Sequence, residues 1–234
     1  MTHPAWSPRD WSTQPPLIHP AYRSSILRGP TRPLIKLPQP LTESTGPLHL
    51  HAGVDAQDAD LTRNGRTNGE PQGERIILTG RVLGDDARPV PGTVVELWQT
   101  NAAGRYIHAT DQHDAPLDPN FFGAGRSLTN EQGWYRFVTI KPGAYPWANH
   151  HNAWRPGHIH FSLCGPSFSA RLITQMYFPG DPLLALDPVY LAVPEPSRAA
   201  LVATFSLDHT LPGHALGYLF DIVLRGRAAT PMEA

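Results

Sequence analysis

The chain has 234 residues, 40% apolar and 17% charged, and its 19 basic and 20 acidic side chains nearly cancel. That length suits one large domain with an appendage, while no apolar run approaches the roughly 18 residues that cross a bilayer. No Lys/Arg cluster points to nucleic acid or anionic lipid, and no basic-then-apolar leader opens the chain, so a cytoplasmic location and a small-molecule role are expected.

Proline and glycine, at 26 and 20 residues, together make up about a fifth of the chain. They are spread rather than periodic, which predicts turns, long loops and few helices. Residues 1–73 hold no periodic element but many prolines, together with Trp6, Trp11, Tyr22, Ile26, Leu34, Ile35 and Leu37. Such a segment cannot build a core of its own, yet it is too apolar for a free tail. It reads as an extended arm laid over another surface, either its own domain or a partner chain.

From residue 74 the pattern becomes β. Glu74–Leu83, Thr93–Thr100, Gly133–Ile140, His158–Leu163, Leu172–Phe178 and Leu216–Leu224 are apolar or alternating runs rich in β-branched and aromatic residues. Turn chemistry separates them, as in Gly84-Asp85-Asp86 and Pro89–Gly92. The expected fold class is all-β, a β-sandwich of short strands with long loops over residues 74–227, flanked by the proline-rich arm at 1–73 and a tail at 228–234. The best helix candidate is Pro196–Thr204. Two long connections, Asn101–Leu128 and Lys141–Gly157, carry Tyr106 and Tyr145; loops of this length in a compact domain are usually functional. The single Cys164 rules out an internal disulfide and suits a small buried hydrophobe.

The most informative stretch is Trp154-Arg155-Pro156-Gly157-His158-Ile159-His160-Phe161. On a strand, His158 and His160 share one face, so two imidazoles can reach one ion, with Arg155 as a neighbouring cation. Two polar residues on a solvated face fit the same spacing. His49/His51 and His150/His151 are rival pairs, but neither sits on a predicted strand that would hold it rigidly. The acids Asp111, Asp114 and Asp118 read as solvated or turn-forming rather than catalytic. No nucleophile elbow, P-loop or dinucleotide fingerprint is present. A tyrosine is ordinarily structural; as a ligand it must ionise from a pKa near 10, which only a hard, highly charged ion favours strongly.

Several segments converge on one resemblance. Pro89–Tyr106 (PVPGTVVELWQTNAAGRY), Leu117–Phe121, Ile140–Trp147 (IKPGAYPW), Trp154–His160, Leu172–Phe178, Gly180–Pro182 and Tyr218–Arg225 together are similar to the intradiol ring-cleaving dioxygenases. Tyr22 and Thr42–Pro47 extend the likeness into the arm. The resemblance implies a mononuclear non-haem Fe(III) held by Tyr106, Tyr145, His158 and His160, with Tyr145 also serving as base and Arg155 stabilising negative charge. It implies substrate contacts from Tyr22, Trp147 and Gln175. It further implies cleavage of a catechol, 3,4-dihydroxybenzoate, by O2 to 3-carboxy-cis,cis-muconate. The expected partner is an α chain of similar fold.

Overall fold

The computed structural model describes residues 10–35, 53–147, 154–164 and 171–233, with only the backbone at Arg171. The rival pairs His49/His51 and His150/His151 lie outside the described residues, as does Thr42–Pro47. Strands β1 (Arg75–Leu83), β2 (Val94–Gln99), β4 (Trp134–Ile140), β7 (His158–Cys164) and β8 (Arg171–Tyr177) coincide with expected runs to within a residue or two. The run at 216–224 is two strands, β10 (Leu216–Leu219) and β11 (Ile222–Val223). Both lie parallel to β1, at successive stretches of its length.

Four short strands have no counterpart among the expected runs: β3 (Ala124–Leu128), β5 (Tyr145–Pro146), β6 (Trp154–Arg155) and β9 (Thr204–Phe205). The long connection expected at Asn101–Leu128 therefore ends at Gly123. β3 was not legible because its sequence, AGRSL, lacks apolar alternation; it is held by backbone pairing to β2.

Two sheets pack face to face. One runs β4-β1-β10-β9, with β11 continuing along β1. The other runs β3-β2-β7-β8 and is antiparallel throughout. Alternation sends Val95, Leu97, Ile159, Phe161, Leu163, Leu172 and Met176 of the second sheet into a shared core. The first sheet meets them with Ile76, Leu78, Tyr135, Phe137, Tyr218 and Phe220. Phe161 lies at the centre, its ring 5.8 Å from Tyr135 and 5.4 Å from Phe220. The opposite face of the second sheet carries Glu96, Trp98, His158, His160, Ser162, Gln175 and Tyr177, in registered pairs such as Trp98↔His160, His160↔Gln175 and His158↔Tyr177.

The expected helix at Pro196–Thr204 is instead a 3-10 helix at Glu195–Leu201. The chain then turns extended because the Ala203 amide bonds to Tyr177 O at 2.9 Å and Thr204 enters β9. Helix α2 (Pro188–Ala192) is capped by Asp187, whose carboxylate accepts the Val189 amide. In the arm, α1 (Arg23–Arg28) is fastened by Ser25, whose hydroxyl takes the His19 amide at 2.8 Å. Residues 53–73 are knitted to the sandwich. Leu61 is fully buried in the core, and Asn120 Oδ1 accepts the amides of Thr67, Asn68 and Gly69. Among the described residues no helix is long and apolar enough to cross a membrane.

Because Phe161 fills the space between the sheets, Phe161→Ala should cost about 3–5 kcal/mol of unfolding free energy, read by chemical denaturation.

Candidate metal centre

His158 and His160 project from the same face of β7, both buried, with ring centroids 4.9 Å apart. Their tautomers follow from their partners. His158 Nδ1 lies 2.7 Å from Pro156 O, which only accepts, so the proton is on Nδ1 and Nε2 carries the lone pair. His160 Nδ1 lies 3.1 Å from Glu233 Oε2, and burial has not neutralised that carboxylate: its pKa is lowered because bonding and attraction to His160 outweigh desolvation. His160 Nδ1 therefore donates, and its Nε2 also turns inward. Trp98 stacks on His160 at 4.8 Å, the planes 6° apart.

The tyrosines arrive on loops that backbone packing holds in place. After β2, Asn101 Oδ1 accepts the amides of Ala103 and Arg105, and Asn101 Nδ2 donates to Pro116 O. Gly104 closes this turn at φ +80°, and a Cβ there would stand 2.0 Å from Ala144 O. Only glycine permits both the dihedral and the approach, which brings the Tyr106 turn against the strand of Tyr145. Asp111 takes the Tyr106 amide at 2.7 Å, the turn-forming role expected of it. Tyr145 pairs directly with Arg155 across β5 and β6. The Tyr106 hydroxyl donates to His160 Nε2 at 3.0 Å, and the Tyr145 hydroxyl lies 3.5 Å from His158 Nε2. The two phenol rings are 5.7 Å apart.

Arg155 stands beside this cluster and is buried. Asp187, fully buried, grips it twice, Nε to Oδ1 at 3.3 Å and Nη2 to Oδ2 at 2.9 Å. Nη2 also donates to Gln175 Oε1 at 2.6 Å and to the Tyr177 hydroxyl at 3.2 Å. That leaves Nη1 facing the site, 3.1 Å from His158 Nε2 and 3.5 Å from the Tyr145 oxygen. Although burial opposes its charge, the surrounding Tyr177 and Asp187 oxygens hold Arg155 protonated, well above the ordinary range. Burial likewise pushes Tyr106 far up and Tyr145 up; Arg155 partly offsets the rise at Tyr145, which is the more easily ionised of the two. His158 is driven well down, first by burial and then by Arg155, and stays neutral.

The other residues singled out from sequence meet at the same place. Tyr22, at the start of α1, packs on Trp147 at 4.9 Å, and the Arg155 guanidinium lies over Trp147 at 5.3 Å. Gln175 is buried; its Oε1 serves Arg155 and Tyr177, so its Nε2 is fixed as a donor and has no well-formed hydrogen bond. Gln175 also helps keep the Glu233 carboxyl ionised. Sequence reasoning missed Asp187, Tyr177, Trp98 and Glu233. The Asp187-Pro188 step was a legible helix-cap signal; nothing in sequence connects Glu233 to His160. Among the described residues no cluster of three or more His, Cys, Asp or Glu side chains offers another metal site.

Residues 44–226 match the family described as Dioxygenase, and residues 7–40 match that described as the N-terminal segment of the protocatechuate 3,4-dioxygenase beta subunit. The chain belongs to the intradiol ring-cleavage dioxygenase family. It is 62% identical to the protocatechuate 3,4-dioxygenase beta chain of Burkholderia cepacia over 97% of both chains. It is 31% identical to hydroxyquinol 1,2-dioxygenase of Rhizobium sp., over 65% of this chain and 53% of that longer one. The solved 3-chlorocatechol 1,2-dioxygenase of Rhodococcus opacus shares the fold, with a TM-score of 0.56 at 21% identity over 73% of this chain and 65% of that one.

The family generally depends on non-haem iron, and the donor set fits such an ion. Two ligands each about 2.1 Å from a first-row ion stand roughly 3.0 Å apart at a right angle and roughly 3.6 Å apart at 120°. The oxygen–nitrogen separations of 3.0 and 3.5 Å fall in that range. Two phenols that a hard trivalent cation could ionise, beside two inward imidazole nitrogens, form a donor set suited to such an ion.

Removing Asp187 would leave Arg155 as an uncompensated buried charge. Asp187→Ala should cost about 3–5 kcal/mol in stability by chemical denaturation.

Proposed function

We propose that this chain is the catalytic subunit of an enzyme that cleaves 3,4-dihydroxybenzoate (protocatechuate) with O2 to 3-carboxy-cis,cis-muconate, a step of aromatic catabolism. In this reading Tyr106, Tyr145, His158 and His160 hold one Fe(III). The observation that carries it is the convergence of two phenol oxygens and two imidazole lone pairs, with Arg155 Nη1 aimed at the same point. The identity to the Burkholderia cepacia beta chain supports the choice of substrate.

When bound, the ferric ion would chelate both oxygens of a catechol and give the ring carbon nucleophilic character toward O2. The protein's residues do the rest. A catechol must lose two protons to bind through both oxygens. Tyr145, as a phenolate whose oxygen lies 3.5 Å from Arg155 Nη1, is placed to take one, and the other would leave to solvent. Arg155 Nη1, rigidly backed by Asp187, supplies a fixed positive charge where negative charge develops on the deprotonated substrate, at no reorganisation cost. Gln175 Nε2, buried without a bonded acceptor, can donate to a substrate oxygen. The far side of the ring would face Tyr22 and Trp147. There a carboxylate needs a donor or a cation in a partly dry pocket, which Tyr22 and an α chain would provide.

The arm exposes Trp11, Leu17, Ile18, Ile26, Leu27, Leu34 and Ile35, an apolar surface suited to that α partner. The single cysteine, buried in β7, accords with a cytoplasmic setting.

The iron-loaded chain, co-expressed with its α partner, should be red-brown and carry about one iron per catalytic chain, because a phenolate on a ferric ion absorbs visible light. His158→Ala and His160→Ala should lose the metal, whereas Arg155→Leu should keep it and lose roughly 10²–10³ in turnover. A colourless protein with stoichiometric zinc would rule the reading out.

Oxygen uptake tests the substrate. A site built for a carboxylate leaves its own partners unpaired when that group is missing. Catechol should therefore react with a much lower kcat/KM than 3,4-dihydroxybenzoate, and the product should be the carboxymuconate. Equal kcat/KM, or a visible-absorbing semialdehyde, would contradict the assignment.

A further inference from the structure

We propose that the C-terminal tail belongs to the metal centre: Glu233 fixes the orientation of His160, and Gln14 of the N-terminal arm locks the tail that carries Glu233. The inference rests on the proposed iron ligation and adds two residues from the ends of the chain to it.

The tail is pinned at every residue from 230 to 233. The Thr230 amide bonds to Val223 O at 2.9 Å, and its hydroxyl takes the Val223 amide at 2.9 Å. Pro231 O accepts the Thr174 hydroxyl at 2.6 Å. The Met232 amide donates to Gln14 Oε1 at 2.7 Å. The Glu233 amide donates to Ile173 O at 2.9 Å, along the outer edge of β8. A glutamate held this way has little freedom in where it delivers its carboxylate, and it delivers it to His160 Nδ1.

His160 is thereby constrained on three sides. Trp98 covers one ring face, Glu233 accepts from Nδ1, and Nε2 meets the Tyr106 hydroxyl. A carboxylate behind a ligating imidazole fixes the tautomer, orients the ring and strengthens the donor nitrogen. His158 gets only a neutral carbonyl, Pro156 O, in that place. The two histidines are therefore inequivalent, and the stronger donor depends on the tail.

The Gln14 side chain bonds the arm to the tail backbone. It is buried, and its Nε2 is spent on Thr13 Oγ1 at 3.1 Å. That fixes its Oε1 as the acceptor facing Met232. The arm thus reaches the metal ligands through Gln14, Met232 and Glu233, separately from the Tyr22–Trp147 contact.

The test uses the full-length chain co-expressed with its α partner, loaded with iron and competed with a chelator, together with the visible spectrum and the melting temperature of the metal-free form. Glu233→Ala should weaken iron retention by roughly 10–100-fold and shift the charge-transfer band. Glu233→Gln keeps an acceptor for Nδ1, so it should recover most of the retention but not the original band. Gln14→Ala should weaken retention in the same direction, and should add nothing in the Glu233→Ala background.

Glu233→Ala that holds iron as tightly as the wild type, with an unshifted band, would overturn the role of Glu233. Equal losses from Gln14→Ala with and without Glu233 would overturn the link through the tail. If Glu233→Ala lowers the metal-free melting temperature and Glu233→Gln fails to restore retention, the residue is structural and the proposal fails. A wild-type chain that takes up no iron would instead overturn the underlying ligation.

Discussion

Strand β7 has to be apolar on one face and present two imidazoles on the other, and the molecule is arranged around that requirement. Ile159, Phe161 and Leu163 point into the core between the sheets, while His158 and His160 point away from it. The period of two makes the two demands compatible without a bulge. It also makes them inseparable, because a slip of one residue would exchange the histidines with the core. The pairing of β7 to both β2 and β8 fixes that register, so the hydrophobic core indirectly sets where the imidazoles stand.

The second constraint is charge. Arg155 is almost fully buried, and a guanidinium in such a place costs several kcal/mol unless it is paired and hydrogen-bonded. Asp187 neutralises it, and Gln175 and Tyr177 use up the remaining Nη2 capacity. The result is directional: one nitrogen, Nη1, is left over, and it faces the phenol and imidazole. The same low-polarity surroundings that raise both tyrosines also strengthen whatever positive charge is presented to them. On the proposed function, the metal-free protein holds its phenols neutral, and ionisation is coupled to the arrival of the cation.

How much of this was legible depended on the range of the interactions. The main strands were readable because alternation and β-branching are local signals, and His158/His160 because a spacing of two on a strand is itself a geometry. Tyr106 and Tyr145 were not distinguishable from structural tyrosines by their own surroundings; only the resemblance marked them. The short strands β5, β6 and β9 are too brief to show a period. The 3-10 helix at Glu195–Leu201 looked helical, but a tertiary bond from Ala203 to Tyr177 ended it early. Asp187 and Glu233 lie 32 and 73 positions from the side chains they hold. No local pattern announces a partner at that distance.

The geometry also separates reaction from selection. The donors and Arg155 sit on the sandwich or on loops packed backbone to backbone against each other, as at Gly104 and Ala144. Tyr22 lies on the arm, outside the sandwich, and packs on the ring of Trp147. On the proposed function, a site built this way can change what lies across from the ion by changing the arm, or a chain packed on it, without moving any of the four donors. The hydroxyquinol and chlorocatechol relatives match this chain over about two thirds to three quarters of its length. The segment matched by the beta-subunit model at residues 7–40 carries both Gln14 and Tyr22. If the arm supplies one contact to the substrate side and another to the tail behind His160, then exchanging it would alter selectivity and metal retention together. An arm that served only to bury apolar surface against a partner would alter neither once the partner was bound.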